Sequence, residues 1–139
     1  FFVGGHHARE HISIETPLLV AKNLAAGWKA GDLRITQLLN NRTVYIVPML
    51  NVDGAEFDID NGSYKSWRKN RRSNGDGTFG VDLNRNYDHQ WSTVGASGNT
   101  RSETYYGKSA FSEPETQAVR DFVTSHKNIT LVHSYHTFS

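Results

Sequence analysis

His7-Ala8-Arg9-Glu10 is the stretch whose residue types and spacing most directly suggest chemistry. A neutral imidazole and a carboxylate three residues apart can converge on one zinc ion if the chain turns between them, because zinc accepts both ligand types. A catalytic zinc needs a third protein ligand and an open position for water, so one more His, Asp or Glu must come from elsewhere. His133, at the end of the last apolar run, has the right type. An isolated H-x-x-E is better explained by a solvated loop with an Arg9–Glu10 salt bridge, so the four residues alone do not point to a metal. Read through His11, the same string is H-x-x-E-H, in which two imidazoles on one helix hold the metal and the Glu is the base. Gly4-Gly5 before it, with Ser13 and Pro17 after it, place the helix start beyond His11 and separate those imidazoles.

Two later stretches carry charge in a pattern. Lys65-Ser66-Trp67-Arg68-Lys69-Asn70-Arg71-Arg72 has five cations in eight positions. Asp82-Leu83-Asn84-Arg85-Asn86 sets a guanidinium between two amides, suited to gripping a carboxylate bidentately. The 139 residues carry a net charge of +1, so one short basic run does not read as a nucleic-acid surface. There is no cysteine, which excludes disulfides and thiolate metal sites. No apolar run approaches the roughly 18 residues of a membrane span. Asp58-Ile59-Asp60-Asn61-Gly62 hints at calcium but lacks the full loop pattern and reads as a polar turn.

These residues need elements to position them. Phe1-Phe2-Val3 reads as a buried strand stopped by two glycines. Helical spacing follows from Ser13, with Gly27 as the stop and a start near residues 12–15 so that Pro17 falls in the first turn. A shorter helix is predicted over Asp32–Leu39 and a β-branched strand over Thr43–Val47, then an Asp-Gly turn at Asn51–Gly54. Residues 55–110 read as mostly irregular, and so long a loop region is usually functional. Ser112-Glu113-Pro114-Glu115 has the spacing of a capping box for a helix reaching about His126, and Ile129–His133 is a last strand. The alternation predicts an α/β layered sheet with the candidate residues at strand ends. His6, His11, His89, His126 and His136 are read as surface or structural.

In this order the motifs resemble the zinc carboxypeptidases: His7-Ala8-Arg9-Glu10 after a strand and two glycines, Asn51-Val52-Asp53-Gly54, Trp67-Arg68-Lys69, Val81-Asp82-Leu83-Asn84-Arg85-Asn86 and His133-Ser134-Tyr135. The Ser102–Gly107 and Phe111–Glu115 stretches are most similar to the bacterial carboxypeptidase T type. The resemblance implies a mixed, mostly parallel twisted sheet with helices on both faces, and one zinc ion held by His7, Glu10 and His133. It implies that Asp82 accepts the free ring N–H of His7, that Arg68 stabilises the oxyanion, and that Asn84 and Arg85 hold the substrate's terminal carboxylate. Arg9, Ser134 and Tyr135 would line the cleft for preceding residues. The implied activity is zinc-dependent exopeptidase cleavage at peptide or protein C-termini outside the cell, with neither nucleic acid nor membrane as partner. The chain reads as part of a single catalytic domain cut at both ends, the family's base glutamate and covering tyrosine lying beyond Ser139. Alternatives are a zinc- and carboxylate-binding pseudo-enzyme, an inverzincin-like endopeptidase and a cell-wall amidase.

Overall fold

A computed structural model describes residues 1–137. Its elements are β1 (Phe2–Val3), α1 (His11–Lys29), α2 (Leu33–Asn41), β2 (Ile46–Val47), α3 (Val52–Ile59), α4 (Pro114–Ser125) and β3 (His133–Ser134), with 3-10 turns at Asp60–Gly62 and Leu83–Arg85. The sheet order is β2-β1-β3. Both pairings are parallel, with Phe2 opposite Ile46 on one side and His133 on the other. The fold is α/β with a parallel sheet, as the alternation and the resemblance imply. Phe1 and Val3, two residues apart and so on one face, pack with Val119 and Phe122 of α4 and with Tyr45 and Ile129. The two outer strands pair over shorter stretches than predicted, because β1 offers ladder partners only at Phe2 and Val3.

Helix α1 departs from the reading in two ways. It runs through Gly27 to Lys29, and Gly27 sits against Ile35 of α2, where a side chain would not fit. It also starts at His11, which puts Pro17 in the second turn. Proline cannot bond the Ser13 carbonyl four residues back. That carbonyl instead abuts Gly4, where an added Cβ would lie 2.1 Å from its oxygen. Helix α3 was not predicted: Asn51-Val52-Asp53-Gly54 opens a helix, its first turn capped by the Asn51 carboxamide accepting the Gly54 N–H at 3.1 Å. The capping box at Ser112 does not form. Helix α4 begins after Glu113, whose N–H is taken by buried Asn86 at 3.2 Å, while the Ser112 hydroxyl donates to the Glu113 carboxylate.

The long irregular region is held by buried amides. Asn51 donates to the carbonyls of His6 and Lys69, Asn70 accepts from Val81 N–H and donates to Glu113, and Asn86 donates to Tyr106, Ser109 and Ser112. Each satisfies backbone that no sheet partner reaches.

Candidate metal centre and substrate cleft

His7 follows β1 after Gly5, whose φ of +68° a side chain would resist. The chain doubles back at once: Glu10 N–H donates to the His7 carbonyl at 3.2 Å, and α1 starts at the next residue. This turn brings His7 Nδ1 to 2.6 Å from Glu10 Oε1. The other ring nitrogen, Nε2, lies 3.0 Å from Asp82 Oδ1. Asp82 is fully buried and caps the 3-10 turn at residues 83–85. Its second oxygen accepts two hydrogen bonds from the Arg68 guanidinium, at 3.1 and 3.0 Å. Burial pushes the Asp82 carboxyl up, but the hydrogen bond and charge of His7, and then Arg68, outweigh it and hold its pKa below the ordinary value. Glu10 behaves likewise, burial being outweighed by His7, the Thr137 N–H and His136.

The third side chain at this cluster is His136. Its Nδ1 lies 2.9 Å from Glu10 Oε2 and 3.2 Å from His7 Nδ1. Among the described residues, the group able to hold a metal ion is His7, Glu10 and His136, with ligand atoms all within 4.8 Å of one another. The donor chemistry fits a cation: two imidazole nitrogens face each other across a buried carboxylate, and a metal would satisfy all three lone pairs at once. His133 lies elsewhere. It is exposed in β3, its ring 6.1 Å from Phe2 and 4.5 Å from Tyr135. His11 turns from the cluster to Asp58, at 2.9 Å.

The remaining residues surround this centre. Ser134 Oγ lies 3.2 Å from both His6 Nδ1 and His136 Nε2. His6 is 2% exposed and also meets the Tyr87 hydroxyl at 2.7 Å; burial first, then the neighbouring His136 and His7, push its pKa down to about 3. Tyr135 donates its N–H to the Val3 carbonyl. Arg9 reaches the Ser66 carbonyl and, at 3.2 Å, the Glu103 carboxylate. Arg85 donates to the carbonyls of Gly95 and Asn84, and Asn84 is exposed beside it. His6 and His136 had no sequence signal beyond being histidines near better-placed ones.

The basic run is used inside the molecule. Lys65 donates to the carbonyls of Phe57 and Asp60, Arg68 to Asp82, Lys69 to Thr100 and Arg72 to Glu113, while Arg71 stacks 3.6 Å above Phe57. Residues 58–62 gather no ligand set: Asp58 is buried against His11 and Trp67, and Asp60 is exposed beside Asn61. Calcium is therefore not supported. Among the described residues no helix is long and apolar enough to cross a membrane.

Fold and site together define an α/β protein with a candidate mononuclear metal centre at the ends of its parallel strands. The chain belongs to the zinc carboxypeptidase family (peptidase M14), which it matches over residues 1–139. It is 40% identical to carboxypeptidase O of Bos taurus over 136 residues, covering 96% of this chain and 36% of that protein. A zinc carboxypeptidase of Saccharothrix mutabilis subsp. capreolus is 43% identical over 94 residues, 68% of this chain and 21% of the other. Among solved structures, thrombin activatable fibrinolysis inhibitor superposes with a TM-score of 0.90 at 35% identity, covering 99% of this chain and 34% of that one. The chain thus spans about a third of the length of the first two full-coverage relatives.

Proposed function

We propose that this chain carries the metal and substrate-carboxylate sites of a zinc-dependent carboxypeptidase acting outside the cell on peptide or protein C-termini. The observation that carries the reading is the convergence of His7, Glu10 and His136 beside the Asp82–Arg68 pair in a member of this family. His7 and Glu10 would hold the zinc, with an imidazole from the last segment as third ligand. Two observations name different residues for that place. The His133-Ser134-Tyr135 motif favours His133, and the geometry favours His136, three residues on. Bound zinc supplies a Lewis acid that polarises a carbonyl and lowers the pKa of a coordinated water. Asp82 fixes the His7 tautomer, leaving Nδ1 toward the metal. Arg68, held at the site by Asp82, donates to the carbonyl oxygen as negative charge develops there. Asn84 and Arg85 take the terminal carboxylate, and Arg9, Ser134 and Tyr135 line the path of the preceding residues. A bovine form of the structural neighbour is seen in complex with a tick carboxypeptidase inhibitor, which supports a carboxypeptidase inhibitor as a second class of partner here.

The test, made in the full-length protein, is zinc content and cleavage of one peptide with a free or an amidated C-terminus. One zinc per chain with cleavage confined to the free acid is expected; equal cleavage of the amide would overturn the exopeptidase reading in favour of an endopeptidase. His133→Ala and His136→Ala assign the third ligand: whichever variant loses chelator-resistant zinc contained it.

A further inference from the structure

Asp58 lies near the end of α3, fully buried, and takes no part in the metal or substrate sites described above. A buried carboxylate is costly unless its oxygens are hydrogen-bonded, and Asp is a poor helix residue. Its two oxygens have separate partners. Oδ2 lies 2.9 Å from His11 Nε2, and Oδ1 accepts the Trp67 backbone N–H at 2.5 Å. His11 directly follows Glu10, and Trp67 directly precedes Arg68. One side chain thus joins two segments at the residues adjoining a candidate metal ligand and the candidate oxyanion donor.

The same two segments are tied twice more. Asp82 bridges the side chains of His7 and Arg68, and the Ala8 N–H donates to the Arg68 carbonyl at 3.0 Å. Asp58 adds an outer tie, one residue beyond Glu10 and one before Arg68. Its own position is fixed by its main chain, whose carbonyl accepts the Lys65 N–H at 2.9 Å, and by the Lys65 ammonium closing onto Phe57 and Asp60. The Trp67 ring packs edge-on against Phe57, next to Asp58, with centroids 5.3 Å apart.

We propose that Asp58 is a positioning residue, a clamp that sets where the Arg68 guanidinium stands relative to the His7–Glu10 turn. The inference rests on the carboxypeptidase reading of the site. It is tested in the full-length protein with Asp58→Ala and Asp58→Asn, measuring kcat and KM per zinc-loaded molecule and hydrogen exchange at the Trp67 amide. Asp58→Ala is expected to lower kcat about tenfold or more with KM within about twofold, the size seen when groups supporting a metal site are removed. The Trp67 amide should exchange at least about tenfold faster. Asp58→Asn keeps an oxygen for the Trp67 N–H and an amide for the His11 ring, and should restore kcat to within about threefold. A merely structural role would lower the melting temperature and leave kcat per zinc-loaded molecule unchanged, which overturns the proposal, as would equal loss in both variants. Should Asp58→Ala not fold, His11→Ala removes one of the two bonds and should lower kcat by about threefold; unchanged kcat there overturns it too. Wild-type protein that takes up no zinc or cleaves no peptide would instead sink the reading of the site, while exchange at Trp67 would still decide whether the clamp exists.

Discussion

Asp82 divides its carboxylate, one oxygen meeting His7 and capping the turn at residues 83–85, the other anchoring Arg68. Arg68 and Arg85 differ in how they are held. Arg68 is drawn into the buried site by a charge, whereas Arg85 rests on two backbone carbonyls at the surface. The guanidinium nearer the metal centre should therefore act as charge develops, and the outer one in binding. Arg68→Ala is expected to lower kcat by about 10²–10³-fold, as for loss of one oxyanion donor, with little change in KM. Arg85→Ala should raise KM about tenfold or more with kcat retained, because a surface contact to the terminal carboxylate serves ground and transition states alike. Steady-state kinetics on a peptide with a free C-terminus separates these, and proportional changes in both parameters for both variants would contradict the assignment. Arg68→Ala also leaves a buried carboxylate oxygen without its cation, a loss on the order of 3–5 kcal/mol, so kcat must be read on the folded fraction.

At the scale of elements, legibility followed locality. Helices α1, α2 and α4 announced themselves through spacing and breakers, although Asp32, read as the first residue of α2, stands before it as the cap, its side chain accepting the Ile35 N–H at 3.0 Å. Helix α3 was missed because Asp53-Gly54 is ordinary turn chemistry; it is helical because Gly54 leaves room for the Asn51 side chain, which an added Cβ would meet at 2.5 Å. Pro17 misled in the other direction, since the Ser13 carbonyl, which proline cannot bond, lies against Gly4, a residue without a side chain. What decided both cases was the room left at a glycine, Gly54 beside the Asn51 side chain and Gly4 beside the Ser13 carbonyl, which helical spacing does not carry. Motif positions likewise showed which residue types gather at the strand ends, but not which imidazole of the last segment stands beside Glu10. The Gly4–Ser13 approach gives a direct prediction: Gly4→Ala should destabilise the protein by about 2 kcal/mol or more, as overpacking does, by urea denaturation. Stability within about 0.5 kcal/mol of wild type would mean that α1 can move away from β1.

At the scale of the whole molecule, the sheet sets the first and last strands side by side, and the candidate ligands stand at the ends of both. Metal binding there would act as a cross-link between distant parts of the sequence. Chelation should lower the melting temperature, with a stabilisation of about 2.7 kcal/mol lost if free zinc had stood at a hundred times its dissociation constant. Amide exchange should rise in residues 131–137 before it rises in α4. A melting temperature indifferent to chelator would show that the last segment is held by the sheet alone.

The separation of His7 from His136 by 129 residues also has a consequence in time. A ribosome adding about 5–20 residues per second delivers the two on the order of ten seconds apart. During that interval His7 and Glu10, with Asp82 and Arg68 once they emerge, form an unfinished set of donors beside a central strand that has one neighbour in place and the other still unmade. Closing so long a loop costs more entropy than the local contacts of α1, so β3 is expected to dock after that helix has formed. The nascent chain would stay a poor zinc ligand until the segment carrying the third imidazole has been translated and has docked beside β1.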